Sequence, residues 1–345
     1  DTRWCGEVDV AGNLLVPAGV TLTLEPGTEL RFRPYRGYEQ PQKRLQLRVK
    51  GRLLARGTRQ RPIRFTSGAE GPRNGDWSMV KLHGARGSKI AHAVFEFGQH
   101  GLNIWRTDID LSHVVIRFHN WEGLYVENSC SVRVDRSRIY GNGYNCIAVE
   151  QAVKLTVTRS YIANCGTLCV HVDASTAVLR GNLIEGCQEG LCLDNDARAT
   201  VQANRFSAPL NAAISCDGGD NKVRIGANVW DGVADERAVV CPPAAQEEIP
   251  PHGKPPMDLV VGAREPEGLY LDYIPGDRRH DRYPYVYAEK DATRAITARI
   301  GGNIGLTWSA AWDGRHLWTA NLEGQLFELD PRTGKVLRRM DAPGP

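Results

Sequence analysis

The chain reads as all-β: a solenoid of stacked coils followed by a small antiparallel β meander. Three observations predict it. A five-residue phrase returns as GLNIW (101–105), GLYVE (123–127), CIAVE (146–150), CVHVD (169–173), GLCLD (190–194) and AISCD (213–217), with its second residue spaced by 22, 23, 23, 21 and 23 positions. Apolar residues around each return alternate with period two, and no uninterrupted helical stripe appears. The tail from Gly305 to Met340 has short apolar runs separated by Asp-Gly and Asp-Pro-Arg-Thr-Gly turns, the mark of consecutive hairpins.

Within one unit Leu124/Val126, Val132/Val134 and Ile139 define three strands, and the residues between them turn the chain. A small polar residue recurs between the second and third strands at Ser137, Ser160, Asn182, Asn204 and Asn228. Asn tolerates the left-handed backbone of a tight bend, and Ser satisfies bend amides with its hydroxyl. Stacked coils bring such residues to about 4.8 Å, close enough for hydrogen bonds to run up the stack.

Three strands per coil of this length, with an Asn/Ser row at one corner, resemble the right-handed parallel β-helix of the pectate-lyase-like families. The resemblance covers residues 10–240 and implies about nine right-handed coils. Val80, Leu102, Leu124, Ile147, Val170, Leu191 and Ile214 are then one inward ladder. The expected division is a β-helix over 1–241, a Pro-rich linker over 242–257 and a C-terminal extension over 258–345 whose meander spans about 285–341. That meander resembles one β-propeller blade, with Trp308, Trp312 and Trp318 as anchors. One blade cannot bury its own faces, so the meander is expected to pack on the helix or to assemble with other subunits.

The first coils, VPAGVTLTLEPGTELRF (16–32) and LQLRVKGRLLARGTRQRPIRFTS (45–67), carry the same alternation with a lopsided charge. Residues 31–90 hold sixteen Lys/Arg against three acids, whereas the whole chain is only +3. Arg44, Arg48 and Lys50 alternate with the inward Leu45, Leu47 and Val49 and are expected on one outer face, where they would attract an acidic polysaccharide or an acidic protein. Nothing matches a nucleic-acid-binding module. A 41% hydrophobic and 24% charged composition is that of a globular protein, and no apolar run is long enough for a transmembrane segment.

Nine cysteines point to an oxidising, extracytoplasmic setting: periplasm, cell surface or secreted. Cys165 and Cys187 occupy equivalent positions in successive coils, as do Cys146 and Cys169. Neighbouring coils place equivalent Cα atoms within disulfide reach, so Cys165–Cys187 is the first expected bridge and Cys146–Cys169 the second. Cys216, in register with the inward Leu193, is expected as a buried free thiol.

Beyond the inward ladder lie two outward rows. The first reads Asn103, Tyr125, Ala148, His171, Cys192, Ser215, and the second Trp105, Glu127, Glu150, Asp173, Asp194, Asp217. Like charges so spaced raise one another's pKa unless a cation lies between them. In the pectate-lyase-like families this face holds Ca²⁺-binding or catalytic carboxylates. The resemblance therefore implies Glu150, Asp173 and Asp194 as acids, His171 as proton carrier, and Glu127, Glu150, Asp173, Asp194 and Asp217 as ligands of a possible Ca²⁺. The GHG and RIK signatures of polygalacturonases and the DPHE of alginate epimerases are absent. The functional expectation is a non-catalytic recognition or assembly module holding an acidic partner or glycan through its basic end. Two alternatives stand beside it: a polysaccharide lyase or glycoside hydrolase using the acid row, and a periplasmic metal-handling accessory protein using Cys192 with His171.

Overall fold

A computed structural model describes residues 1–36, 43–207 and 209–249 and the strands at 307–312, 317–321, 325–329 and 336–341. Three parallel sheets run the length of a β-helix, with eleven, ten and ten strands, and each strand pairs with its equivalent one coil away. Following the chain through a coil, the first-strand sheet holds segments such as Leu102–Trp105 and Leu124–Glu127. The second-strand sheet holds Ser131–Asp135 and the third-strand sheet Arg138–Tyr140.

The inward ladder is continuous: Leu102 pairs with Val80 and Leu124, Ile147 pairs with Leu124 and Val170, and Leu191 pairs with Ile214. All seven residues are fully buried. Ten coils are present among the described residues rather than nine, because pairing begins at Thr2–Trp4 and Glu7–Val10. Those strands are mostly exposed and carry few inward apolar residues, so alternation did not mark them.

The corner row forms a hydrogen-bonded ladder. Backbone N–H groups of Ser137, Ser160, Asn182 and Asn204 donate to the side-chain oxygens of Ser160, Asn182, Asn204 and Asn228 at 2.9–3.1 Å. The left-handed backbone falls one residue earlier than expected, on Arg136, Arg159, Gly181 and Ala203. The polar residue instead turns its side chain into the stack, where each otherwise unpaired amide needs an acceptor.

The disulfides differ from both expected pairs. Cys146 joins Cys165 and Cys169 joins Cys187, each with Cα atoms 5.5–5.7 Å apart and each closing one coil on itself. Equivalent positions in adjacent coils hold parallel Cβ vectors, whereas a cysteine at the entry to a first strand and one two residues past the third strand of the same coil face each other across the turn. Cys216 is not free but joins Cys241 from the following coil, leaving Cys5, Cys130 and Cys192 as free thiols among the described residues.

At the C-terminal end Gln246–Glu248 pairs with Lys222–Ile225, so these three residues continue the second-strand sheet instead of forming a linker. Pro243–Ala245 forms a single 3-10 turn before that strand, whereas residues 250–257 of the proposed linker and the start of the extension lie outside the described residues. A separate unit contains the antiparallel sheet Thr307–Trp312, Leu317–Asn321, Gln325–Leu329 and Val336–Asp341, in sequential order as a meander requires. The side chains of Trp308, Trp312 and Trp318 also lie outside the described residues.

Candidate functional site

The outer face of the first-strand sheet gathers the chemistry in three columns. The central column runs Arg48, Lys81, Asn103, Tyr125, Ala148, His171, Cys192, Ser215 by direct strand register. The second column passes from His83 through Trp105 and Glu127 to Glu150, then Asp173 and Asp194. A third column lies two residues before the inward marker, with His100 and Glu122 in the turns and Glu189 opening the strand Glu189–Asp194. Outward position does not mean exposure here: Asn103, Ala148, Cys192 and Ser215 are all buried. The flanking columns lean across them, since Tyr125 donates to Glu150 at 2.9 Å, Cys192 donates to Asp217 at 3.5 Å and Ser215 donates to Glu189.

The face is basic at its N-terminal end. Arg48 and Lys50 are exposed, and the charges of Lys50, Lys81, Arg48 and Arg106 add to burial in lowering the pKa of His83. The His83 ring lies 4.0 Å from that of Trp105, and the Arg106 guanidinium stacks on the indole at 4.3 Å. Arg44 does not belong to this patch. It precedes the strand Leu47–Val49, is half-buried, and donates from Nε to the Gly75 carbonyl at 2.7 Å, which draws its side chain toward the Gly75 turn.

One step further along, a constellation appears that the sequence reading passed over. His100 Nδ1 lies 2.8 Å from Glu122 Oε2, and these side chains keep only 26% and 13% of their exposure. The contact is an ion pair by distance, but neither atom completes an aligned hydrogen bond. Asn103, between Lys81 and Tyr125 in the central column, is 4% exposed and its Oδ1 has no partner. Tyr125 has its pKa raised by burial first and then by its bond to Glu150 and the charges of Glu127 and Glu122, so the phenol stays protonated. Lys81 reaches Glu127 at 3.8 Å. A carboxylate-oriented imidazole, a protonated phenol and an ammonium around an unsatisfied amide are the parts of an acid–base site.

The turn behind this group is rigid. His119 is fully buried, accepts from the Gly98 N–H at Nδ1 and donates from Nε2 to the Phe95 carbonyl; burial pulls its pKa down to about 3. Gly101 must be glycine, because a Cβ there would come within 2.4 Å of the Gly123 carbonyl and 2.8 Å of His119 Nε2. His100 is thereby held at the entry to its strand.

The acid row is aligned as expected but does not form a cage. Glu150 is taken by Tyr125, Asp173 accepts from Asn195 at 2.8 Å, and Asp217 turns toward Cys192. Ca²⁺ takes six to eight converging oxygens, and among the described residues no three of Glu127, Glu150, Asp173, Asp194 and Asp217 bring their carboxylate oxygens within 4.8 Å of one another. The tighter cluster is Glu189, Cys192 and Asp217, whose ligand atoms all lie within 4.8 Å of one another. Burial pushes the Cys192 thiol up to about 12. His171 is in register with Cys192 but outside that cluster. Periodicity made the acid row legible. His100 and Glu122 stand one step before the repeated phrase, and the signal for them was an ionisable residue two places before the marker in consecutive coils.

Residues 100–234 match the family model described as "Right handed beta helix region". Among solved structures the chain is similar to the A-module of a mannuronan C-5 epimerase from Azotobacter vinelandii, at 12% identity over 72% of this chain and 89% of that one, with a TM-score of 0.42. It is also similar to a variant of a periplasmic alginate epimerase, at 11% identity over 72% of this chain and 78% of that one, with a TM-score of 0.41. Among curated protein sequences none matches the chain.

Proposed function

We propose that this right-handed parallel β-helix is an extracytoplasmic protein that acts by acid–base chemistry on an acidic polysaccharide lying across the outer face of its first-strand sheet. The observation that carries the reading is the His100–Glu122 pair beside the unsatisfied Asn103, flanked by Lys81 and Tyr125. The basic patch of Arg48, Lys50 and Lys81 holds uronate carboxylates. Three disulfides support an oxidising compartment.

In this reading the Glu122 carboxylate, 2.8 Å from Nδ1, holds the imidazole by charge and leaves the Nε2 lone pair as base. Nε2 takes the proton from the carbon α to a uronate carboxylate, whose developing charge Lys81 stabilises. The released electron pair forms a carbon–carbon double bond as the neighbouring C–O bond breaks, and the leaving oxygen takes the Tyr125 proton. Atoms balance without a metal or a co-reactant. Purified protein is incubated with polygalacturonate, alginate and unsulfated glycosaminoglycans, and the near-ultraviolet absorbance of an unsaturated product is followed. His100→Ala is expected to lower that rate by about 10²–10⁴ while the polymer still binds. Retention of polymer with no product from any of them would leave recognition alone, the second reading, which the charge of residues 31–90 favours.

A further inference from the structure

The two turns that lead into the strands Leu124–Glu127 and Ile147–Glu150 carry an aromatic pair that nothing in the fold uses. Trp121 and Tyr144 are each 41% exposed, the only aromatic side chains so exposed among the described residues, and they meet edge to face with ring centroids 5.7 Å apart. Their backbones are fixed as rungs of a ladder: the Trp121 N–H donates to the Gln99 carbonyl at 2.8 Å, Tyr144 to Trp121 at 3.3 Å and Thr167 to Tyr144 at 3.1 Å. The pair is therefore a preorganised shelf that leaves a large apolar area in water. Glu122 follows Trp121 directly in the chain, with its Oε2 2.8 Å from His100 Nδ1.

Resting on the polysaccharide reading, we infer that this edge of the face is a subsite for an uncharged pyranose ring, stacked on Trp121 and edged by Tyr144, next to the acidic sugar that reacts at His100. Stacking needs the apolar face of a sugar ring, which a neutral pyranose presents with no charge to desolvate. A uronate is excluded there, because among the described residues Glu122 has no ion-pair partner except His100, and a second carboxylate beside it would be repelled. Cations instead mark the other side of the same face, at Arg48, Lys50 and Lys81. A polymer satisfying both sides alternates an acidic sugar with a neutral one, so the substrate class is an alternating heteropolysaccharide rather than a homopolyuronate.

Tryptophan fluorescence is titrated with hexasaccharides of hyaluronan and of unsulfated chondroitin, in which a uronate alternates with an N-acetylhexosamine, and with hexagalacturonate. The alternating probes are expected to bind more tightly. Trp121→Ala and Tyr144→Ala should each weaken them on the order of tenfold, read by calorimetry, while hexagalacturonate changes little; Trp121→Phe should retain most of the affinity. Equal binding of all three probes, no binding of either alternating probe, or an equal loss for all in Trp121→Ala overturns the subsite. Because the titration reads binding without turnover, a missing unsaturated product would overturn the catalytic reading and leave this one standing.

Discussion

On the outer face of the third-strand sheet, Glu96 receives two bonds from Arg117 at 2.7 and 2.9 Å, one from Arg64 at 3.1 Å and one from Thr66 at 3.1 Å. One bend further along the chain, on the first-strand sheet of the next coil, Asn103 Oδ1 accepts nothing and His100 faces Glu122 without an aligned bond. Both Glu96 and Asn103 are buried to within a few percent. Burial of Glu96 pushes its pKa up, but Arg117 and Arg64 outweigh that and hold it at about 2. The difference separates polar groups that complete the fold from polar groups the fold leaves for something else, which sequence alternation alone does not distinguish.

The largest effect should come from breaking the saturated side. Glu96→Ala leaves Arg117 buried without its carboxylate and is expected to cost about 3–5 kcal/mol in denaturant unfolding. Asn103→Ala, at similar burial, should cost less than about 1 kcal/mol because the lost carbonyl made no bond, yet should weaken oligosaccharide binding. Equal costs would erase the distinction.

A second test uses pH. The ordinary His value is 6.5 and the folded His119 titrates at about 3, so between these values the unfolded chain binds a proton that the folded one does not. Stability is therefore fully present above about pH 6.5 and falls as pH drops toward 3, by at most about 1.4 kcal/mol per unit from this residue. Glu96 adds loss of the same sign below its ordinary 4.5. Urea midpoints at about pH 6 and pH 5 should show His119→Gln with one proton less of this dependence; an unchanged slope would mean His119 is not held neutral.

The smallest effect on stability belongs to the basic patch. Arg48→Glu with Lys50→Glu should shift unfolding by no more than about 0.5 kcal/mol while abolishing the salt-sensitive part of polyanion retention. If retention keeps its salt dependence, the patch is a solvated surface.

Much of this molecule was legible from spacing. A period-two pattern at fixed intervals sets which side chains face in, and Val80 through Ile214 obey it because a slip of one residue would put the ladder in water. The corner polar row was equally visible, since its ladder repeats coil by coil. Partner choice was not. Arg44 lies in the same charge run as Arg48, and only the path of the chain brings the Gly75 carbonyl to it. Cys146 chose Cys165 over Cys169 because Cβ direction, not register, decides a bridge. His100 and Glu122 fell outside the repeated phrase, so periodicity gave them no weight.

The two disulfides that each close a single coil carry a mechanical consequence. A stack held by neighbour-to-neighbour contacts frays from its ends inward. The adjacent coils pinned by Cys146–Cys165 and Cys169–Cys187 act as a stop between the basic N-terminal coils and those that follow Cys187. Peeling that starts at either terminus meets a closed ring it must open as a unit, so amide exchange in Ile147–Glu150 and Leu168–Asp173 should persist after both ends have lost protection. Reduction would remove that stop and let the two ends fray as one.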